Sequence, residues 1–403
     1  MQRFQSYKFE LRPTGNQQRQ MRRIAGCCRF VFNGALAIQM KRRDQGVAPL
    51  DSAALSLLLA QWRRQPESPW LADVPIGCLQ QSLRNLDRAY ARYHNSQAQY
   101  PVFKKRGRSD SFYYAKSNDI RIDQANSRLV LSKLGWIRYR NSREMLGRIV
   151  SVTISVAAER WFVSFLTGRE VAPQIAQGPA VGIDMGVVRF ATLSNGAVYS
   201  PLNSFRRHEK ALAVAQRSFS RKTKYSNNWR KERNRVQRIH MRIGNARRDF
   251  LHKISTTISQ NHALVCIEDL RVSAMSQSPT GKAGRAVGGG QGKRRLNKSI
   301  LDQGWFEFRR QLEYKLKWNG GRLIAVSPRN TSITCPRCRN IAKENRLSQS
   351  QFQCVACGFQ ENADLVGALN VLRAGHARLA CAETSPAYGV SGQEPTDALS
   401  QDF

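Results

Sequence analysis

Four cysteines near the C-terminal end have the spacing of a metal knot, Cys335-x2-Cys338-x15-Cys354-x2-Cys357. Each Cys-x-x-Cys turn presents two thiolates. Two such turns close a tetrahedron around Zn2+ with no position open to substrate, so the predicted role is structural. Three acids stand in apolar surroundings: Asp184 within VGIDMG, Glu268 at the end of ALVCIE, and Asp364 at the head of DLVGALN. Each alone has a plain reading, as a turn residue, a cap, or a charge set against a helix dipole. Their contexts differ usefully, however. A first strand, a later buried strand and a C-terminal helix can gather three carboxylates at one edge of a sheet. Carboxylates packed so closely repel unless cations neutralise them. Two Mg2+ ions about 3.5–4 Å apart would do so and would suit hydrolysis of a phosphodiester. Asp184, Glu268 and Asp364 are therefore the candidate catalytic residues and Mg2+ ligands, with Cys335, Cys338, Cys354 and Cys357 the candidate Zn2+ ligands. No Gly-rich nucleotide loop or Ser-His-Asp arrangement competes. His208, His240, His252 and His262 lack metal spacing and are expected to be solvated or to touch phosphate.

The elements that must position these residues follow from periodicity. Residues 4–11 alternate as a short strand and Pro13 breaks it. Helical stripes are predicted over 16–44, 52–62 and 76–93, separated by loops with Pro66, Pro69 and Pro75. From about residue 100 the pattern changes to short strands at 119–122, 128–131, 135–139, 148–156 and 161–166, a spacing that suggests a small barrel. The stretches YPVFKKR and FYY mix aromatics with cations, which suits either base stacking or a barrel core beneath a basic face. After the linker VAPQIAQGPA, residues 180–200 read as two strands, an Asn195-Gly196 turn and a third strand. Alternation puts Asp184 in mid-strand on a face with Gly182 and Gly186, leaving space around the carboxylate.

Residues 206–249 carry fifteen Lys or Arg and three acids, predicted as two antiparallel basic helices that track phosphate. Residues 281–292 hold six glycines and should be a flexible basic loop. One helix is expected over 299–319, and another over 364–375. Beyond Arg378 the tail has acids but no Lys or Arg and is expected to be disordered.

The chain has 403 residues, enough for two or three domains, and 65 Lys and Arg oppose 28 Asp and Glu for a formal charge of +37. Such an excess calls for a polyanion, and nucleic acid is the natural one. No apolar run is long enough to cross a bilayer, and the N-terminus lacks a signal-peptide core. Nine cysteines, an odd number with four at metal spacing, favour the reducing cytoplasm over a disulfide framework. Cys27, Cys28, Cys78, Cys266 and Cys381 read as core or incidental thiols.

GIDMGV, IEDL and the paired Cys-x-x-Cys turns followed by NADLVGALN, in this order and supported by TSITCPRC and FRRQLEYK, resemble the TnpB family over roughly residues 1–375. These are transposon-encoded RNA-guided DNA endonucleases related to compact type V CRISPR effectors. The resemblance implies an α/β, RuvC-like (ribonuclease H-type) nuclease domain with a zinc-ribbon insert. It also implies a β-barrel wedge domain interrupted by a helical recognition domain. On that pattern residues 1–15 and 100–178 are the wedge, 16–99 the recognition domain, and 179–330 with 361–380 the nuclease. Residues 331–360 become the zinc-bearing target-nucleic-acid module and 381–403 a disordered tail. Asp184, Glu268 and Asp364 become the catalytic triad. The implied partners are a guide RNA from the transposon end and double-stranded target DNA beside a short transposon-adjacent motif. No membrane is involved, the place is the cytoplasm at the nucleoid, and a monomer is the default. A non-cleaving guided regulator and a guide-independent RuvC-like nuclease are the alternatives. Two departures stand out. The family's Asn-Ala-Ala after the last acid is Val366-Gly367-Ala368 here, which removes a polar neighbour, and Arg339 replaces a common glycine in the first cysteine turn.

Overall fold

The computed structural model describes residues 1–108, 110–115, 120–276 and 290–384, which fall into two compact units divided after Val171. In the first unit β1 (Gln2–Arg12) is the spine of a seven-stranded antiparallel sheet. The other strands are β2 (Ser111–Tyr114), β3 (Ile120–Asp123), β4 (Arg128–Leu131), β5 (Gly135–Tyr139), β6 (Arg148–Ala157) and β7 (Arg160–Glu170). Their order is β2-β6-β7-β1-β5-β4-β3. β1 pairs with β7 from Gln2↔Glu170 to Glu10↔Phe162, then passes to β5 at Leu11↔Tyr139. The expected barrel is therefore corrected to a sheet with two edges: among the described residues no pairing joins β2 to β3.

Three helices follow β1 in the chain and share one core with the sheet. α1 (Gly15–Asp44) begins in a capping box, where Thr14 Oγ1 accepts from Gln17 N–H and Gln17 Oε1 accepts from Thr14 N–H. α2 (Ser52–Arg64) is capped by Asp51, and α3 (Ile76–His94) packs on both. Met21, Val31 and Leu36 of α1 meet Leu79 and Leu86 of α3 in the core that also takes Phe9 and Phe165. In the aromatic-cationic stretches Phe112 and Tyr114 lie in this core, and Lys104 lies over the Phe32 ring. Only Phe103 remains well exposed among those aromatics.

The second unit is mixed α/β. Its sheet has the order β10-β9-β8-β11-β12, built from β8 (Ala180–Asp184), β9 (Ala191–Leu193), β10 (Val198–Tyr199), β11 (Leu264–Glu268) and β12 (Arg322–Val326). β8, β11 and β12 run parallel, β9 is antiparallel to β8, and β10 is antiparallel to β9. Between β10 and β11 run α4 (Ser204–Ser220) and α5 (Asn227–Asn261), the predicted basic pair, clasped by Leu212, Ala215, Ile239 and Ile243. After β11 come a single turn, α6 (Val272–Met275), then α7 (Gly290–Gln303) and α8 (Trp305–Trp318). The helix expected over 299–319 is thus two, broken at Gly304 with φ +71°, a value that glycine adopts freely. The break leaves Leu301 exposed, whereas Trp305, Phe308, Leu312 and Leu316 stay in the core. Most of the glycine-rich 281–292 stretch lies outside the described residues, and its last three residues open α7.

Strand alternation divides the sheet into two faces. Val181, Ile183, Val265 and Ile267 pack against α5 and α8. Cys266 and Val326 pack on the other side against Val371 of the last helix, α9 (Ala363–Thr384). α9 runs well past the predicted end at 375, and residues 385–403 of the expected disordered tail lie outside the described residues. Between β12 and α9 the cysteine segment carries a small ribbon, β13 (Gln351–Gln353) with β14 (Gln360–Asn362).

Candidate active site

The two sheet acids are neighbours by register. β8 and β11 pair at Gly182↔Cys266 and Ile183↔Ile267, so the next step sets Asp184 beside Glu268. Both lie at carboxyl ends of parallel strands, where open α/β sheets place their ligands. Asp184 is the last residue of β8 and not a mid-strand position. The space expected at Gly182 is filled by α9: a Cβ there would stand 2.1 Å from Ala368 O. Glycine at 182 lets the helix backbone lie on the strand.

That close approach carries the third acid to the same edge. Asp364 stands in the first turn of α9. One turn on, a Cβ at Gly367 would meet Asp184 Cγ at 3.2 Å. The departure from Asn-Ala-Ala thus has a steric counterpart: glycine at 367 leaves room for the Asp184 carboxyl. Val366 is fully buried beside Cys335, Phe352 and Cys354, so its apolar side chain belongs to the core of the cysteine knot.

Electrostatics report the crowding. Burial, then the charges of Glu268 and Asp364, push the Asp184 carboxyl up to about 7, with Arg346 opposing them. Burial also raises Glu268, against a hydrogen bond from Thr331 and the charge of Arg346. Thr331 Oγ1 donates to Glu268 Oε1 at 2.6 Å. Arg189 Nη1 lies 3.7 Å from Asp364 Oδ2 and donates to Asn362 Oδ1 at 3.1 Å. Asn362 Oδ1 also accepts from Asp364 N–H at 3.1 Å, capping the helix that carries the acid. Sequence reasoning missed these neighbours. Only Asn362 left a readable signal, an asparagine directly before a helical run; Arg189, Thr331 and Arg346 are recognised by proximity alone. A set of half-buried oxygen ligands with excess negative charge suits a hard divalent cation.

The four thiols form a second, tighter cluster. Their Sγ atoms all lie within 4.8 Å of one another, with Cys335 to Cys357 at 3.7 Å and Cys338 to Cys354 at 3.5 Å. These spacings are far too long for disulfides and near the roughly 3.8 Å that a tetrahedron of Zn–S bonds requires. Burial pushes the Cys354 thiol up, but the Cys357 and Ala356 amides together with hydrogen bonds from the Cys338 and Cys357 thiols bring it down to about 6. The residues fit a closed structural zinc, and among the described residues no other group of His, Cys, Asp or Glu is drawn together so tightly. Arg339 adopts φ +64°, matching Gly358 at φ +67° after the second turn.

Two of the four histidines depart from the expectation of solvated rings, whereas His240 is exposed. His262 is buried at the end of α5, its ring facing Ile258 O, and burial with the nearby Lys315 charge lowers His252 to about 4. Cys27, Cys28, Cys78 and Cys266 are core thiols and Cys381 is exposed. No helix among the described residues is long and apolar enough to cross a membrane.

Comparison with known proteins gives three family-model matches. Residues 154–279 match IS605 OrfB, described as "Probable transposase", and residues 305–371 match "Cas12f1-like, TNB domain". Residues 1–47 match an OrfB "Helix-turn-helix domain". Over that last stretch the chain forms one strand and one unbroken helix. The chain is 48% identical over 400 residues to the Escherichia coli "Putative RNA-guided DNA endonuclease InsQ", covering 99% of each. A Streptomyces pristinaespiralis relative, named only as an RNA-guided DNA endonuclease of the same standing, is 33% identical over 94% of this chain and 91% of its own. The fold is similar to that of a chain in the "Cryo-EM structure of the Cas12f1-sgRNA-target DNA complex", with a TM-score of 0.53 at 12% identity, over 92% of this chain and 99% of that one.

Proposed function

The chain belongs to the IS605 OrfB/TnpB family, and from that premise we propose that it is an RNA-guided DNA endonuclease, cleaving target DNA beside a short transposon-adjacent motif by hydrolysis at Asp184, Glu268 and Asp364. One observation carries the reading. Three acids far apart in sequence meet at the carboxyl ends of β8 and β11, where burial and then mutual repulsion raise the Asp184 carboxyl to about 7.

On this reading the second unit is a RuvC-like nuclease with residues 331–360 as its zinc-bearing insert. The helices of residues 16–99 act in recognition, and the sheet of the first unit as the wedge. Guide pairing reads the target, and protein reads the adjacent motif. Asp184, Glu268 and Asp364 would hold two Mg2+ ions, which when bound supply Lewis-acid activation of water and stabilisation of the leaving oxygen. The chain's own groups prepare that site. Asp184 would have to be ionised to hold a cation, and its raised carboxyl would release a proton on doing so. Thr331 fixes the Glu268 carboxyl by donating to Oε1, and Asn362 fixes the helix end from which Asp364 projects. Arg346 places a positive charge toward Asp184 and Glu268, where it can receive a phosphate oxygen.

The test is plasmid cleavage by the ribonucleoprotein purified with its own RNA. Asp184→Ala should abolish cutting and leave the bound RNA in place. Retained cutting would sink the active-site assignment. Cutting that persists with unchanged sequence preference after the RNA is digested away would sink the guided reading.

A further inference from the structure

The hairpin between α4 and α5 ends in a group of aromatic rings that the active site does not use. Tyr225 stands in the turn with φ +70°, the left-handed region that a Cβ disfavours and glycine adopts freely. The residue is 67% exposed. It lies 5.6 Å from Trp229, which lies 5.0 Å from Phe219. The turn is fixed: Ser226 Oγ accepts from Trp229 N–H at 3.1 Å and so caps α5. Cations rim the rings, with Lys224 Nζ 5.2 Å from the Tyr225 centroid and the Arg233 guanidinium 5.7 Å from that of Trp229. Between residues 217 and 233 there are seven Lys or Arg and one acid.

Packing accounts for Phe219 and Trp229, which are half-buried. It does not account for Tyr225, whose ring is mostly in water at a backbone position glycine would fill without strain. Strain kept at an exposed aromatic ring that is itself rimmed by cations points to a ligand. An aromatic face surrounded by cations is suited to one nucleobase and its flanking phosphates.

We infer that the tip of the α4–α5 hairpin is a stacking platform for an unpaired base of the guide RNA, with Tyr225 as the outer face. The identity of the polymer rests on the RNA-guided reading, whereas the platform geometry does not. RNA is the occupant because the cation excess needs neutralising before any target is met, and the guide is the polyanion then bound.

Two measurements on the full chain test this. Tyr225→Gly relieves the backbone and removes the ring. It should melt no lower than the parent and yet bind a short unstructured RNA oligonucleotide about five- to tenfold more weakly, with Tyr225→Phe restoring the affinity. Equal affinity for all three proteins overturns the platform. In the second, the complex purified from cells is cross-linked with ultraviolet light and the Tyr225–Trp229 peptide is followed by mass spectrometry. The expected adduct disappears with ribonuclease and survives deoxyribonuclease. An adduct removed by deoxyribonuclease alone overturns the assignment to guide RNA. Neither readout involves cleavage, so an error in the catalytic assignment would leave both intact.

Discussion

The four thiols of the knot come from one stretch of chain, residues 335–357, whereas the three acids stand at 184, 268 and 364. The thiols are set by local turns, with backbone amides already turned toward Cys354. The acids are set by strand register and by a helix lying on a glycine. The thiols form a closed set of soft ligands at the spacing of one ion. The acids form an open set of hard oxygen donors, and burial, with the charges of Glu268 and Asp364 added to it, raises Asp184 to about 7. A cluster of thiols can thus be assembled by its own neighbourhood, while a cluster of buried acids needs the whole fold to hold it in an unfavourable state.

The largest effect should come from breaking the local site. Stripping zinc, or Cys335→Ala, removes a folding contribution of about 10 kcal/mol from the segment around the ribbon. Hydrogen exchange should then rise across β13 and β14 while β1 to β7 keep their protection. Protection unchanged at the ribbon would mean that the knot needs no metal. Next comes the fold-dependent site. Gly182→Ala places a Cβ 2.1 Å from Ala368 O, and the displaced α9 should cost about 3 kcal/mol or more in chemical denaturation. An unperturbed midpoint would refute the close approach.

The burial and crowding of Asp184 can be weighed together by pH. A carboxyl raised in the folded state binds more protons folded than unfolded, so its contribution to stability is present below about 4 and lost as pH rises through about 7. Without divalent cations, Asp184→Asn should therefore be more stable than the parent by about 2 kcal/mol at about pH 8 and about equal near pH 4. A difference independent of pH would remove the crowding argument. The smallest effect returns to the knot. Arg339→Gly frees a left-handed residue on an exposed turn and should raise stability by about 0.5–1 kcal/mol in a thermal melt. A loss would show that the Arg339 side chain is itself needed there.

The same contrast explains what was legible in the amino-acid sequence. The knot was readable because its geometry depends on spacing alone. The helices of the first unit were readable because each carries its own apolar stripe; the caps at Thr14 and Asp51 came to light only in the fold. The acids were visible as rare charges in apolar runs, but their meeting depends on parallel register, which no local pattern states. The sheet edges at β2 and β3 were hidden for the same reason, since strand periodicity fixes faces and not closure. Gly304 split a stripe that would otherwise run unbroken, because an apolar repeat cannot report one left-handed residue. Arg189, Thr331 and Arg346 were ordinary polar residues until the fold set them against the acids.

Thr331 has one further consequence. Its hydroxyl holds Glu268, while its carbonyl, with that of Thr334 beside the first cysteine turn, is held by Asn370 of α9. The strand acid, the helix that bears the last acid and the doorway to the knot are thus tied through a single residue. On the proposed reading zinc supply would then license the activity: copies made in a starved cell would carry every acid yet lack the brace that keeps them in register. Specific activity should follow zinc per chain, measured by atomic emission, even with magnesium in excess; activity indifferent to zinc content would cut that tie.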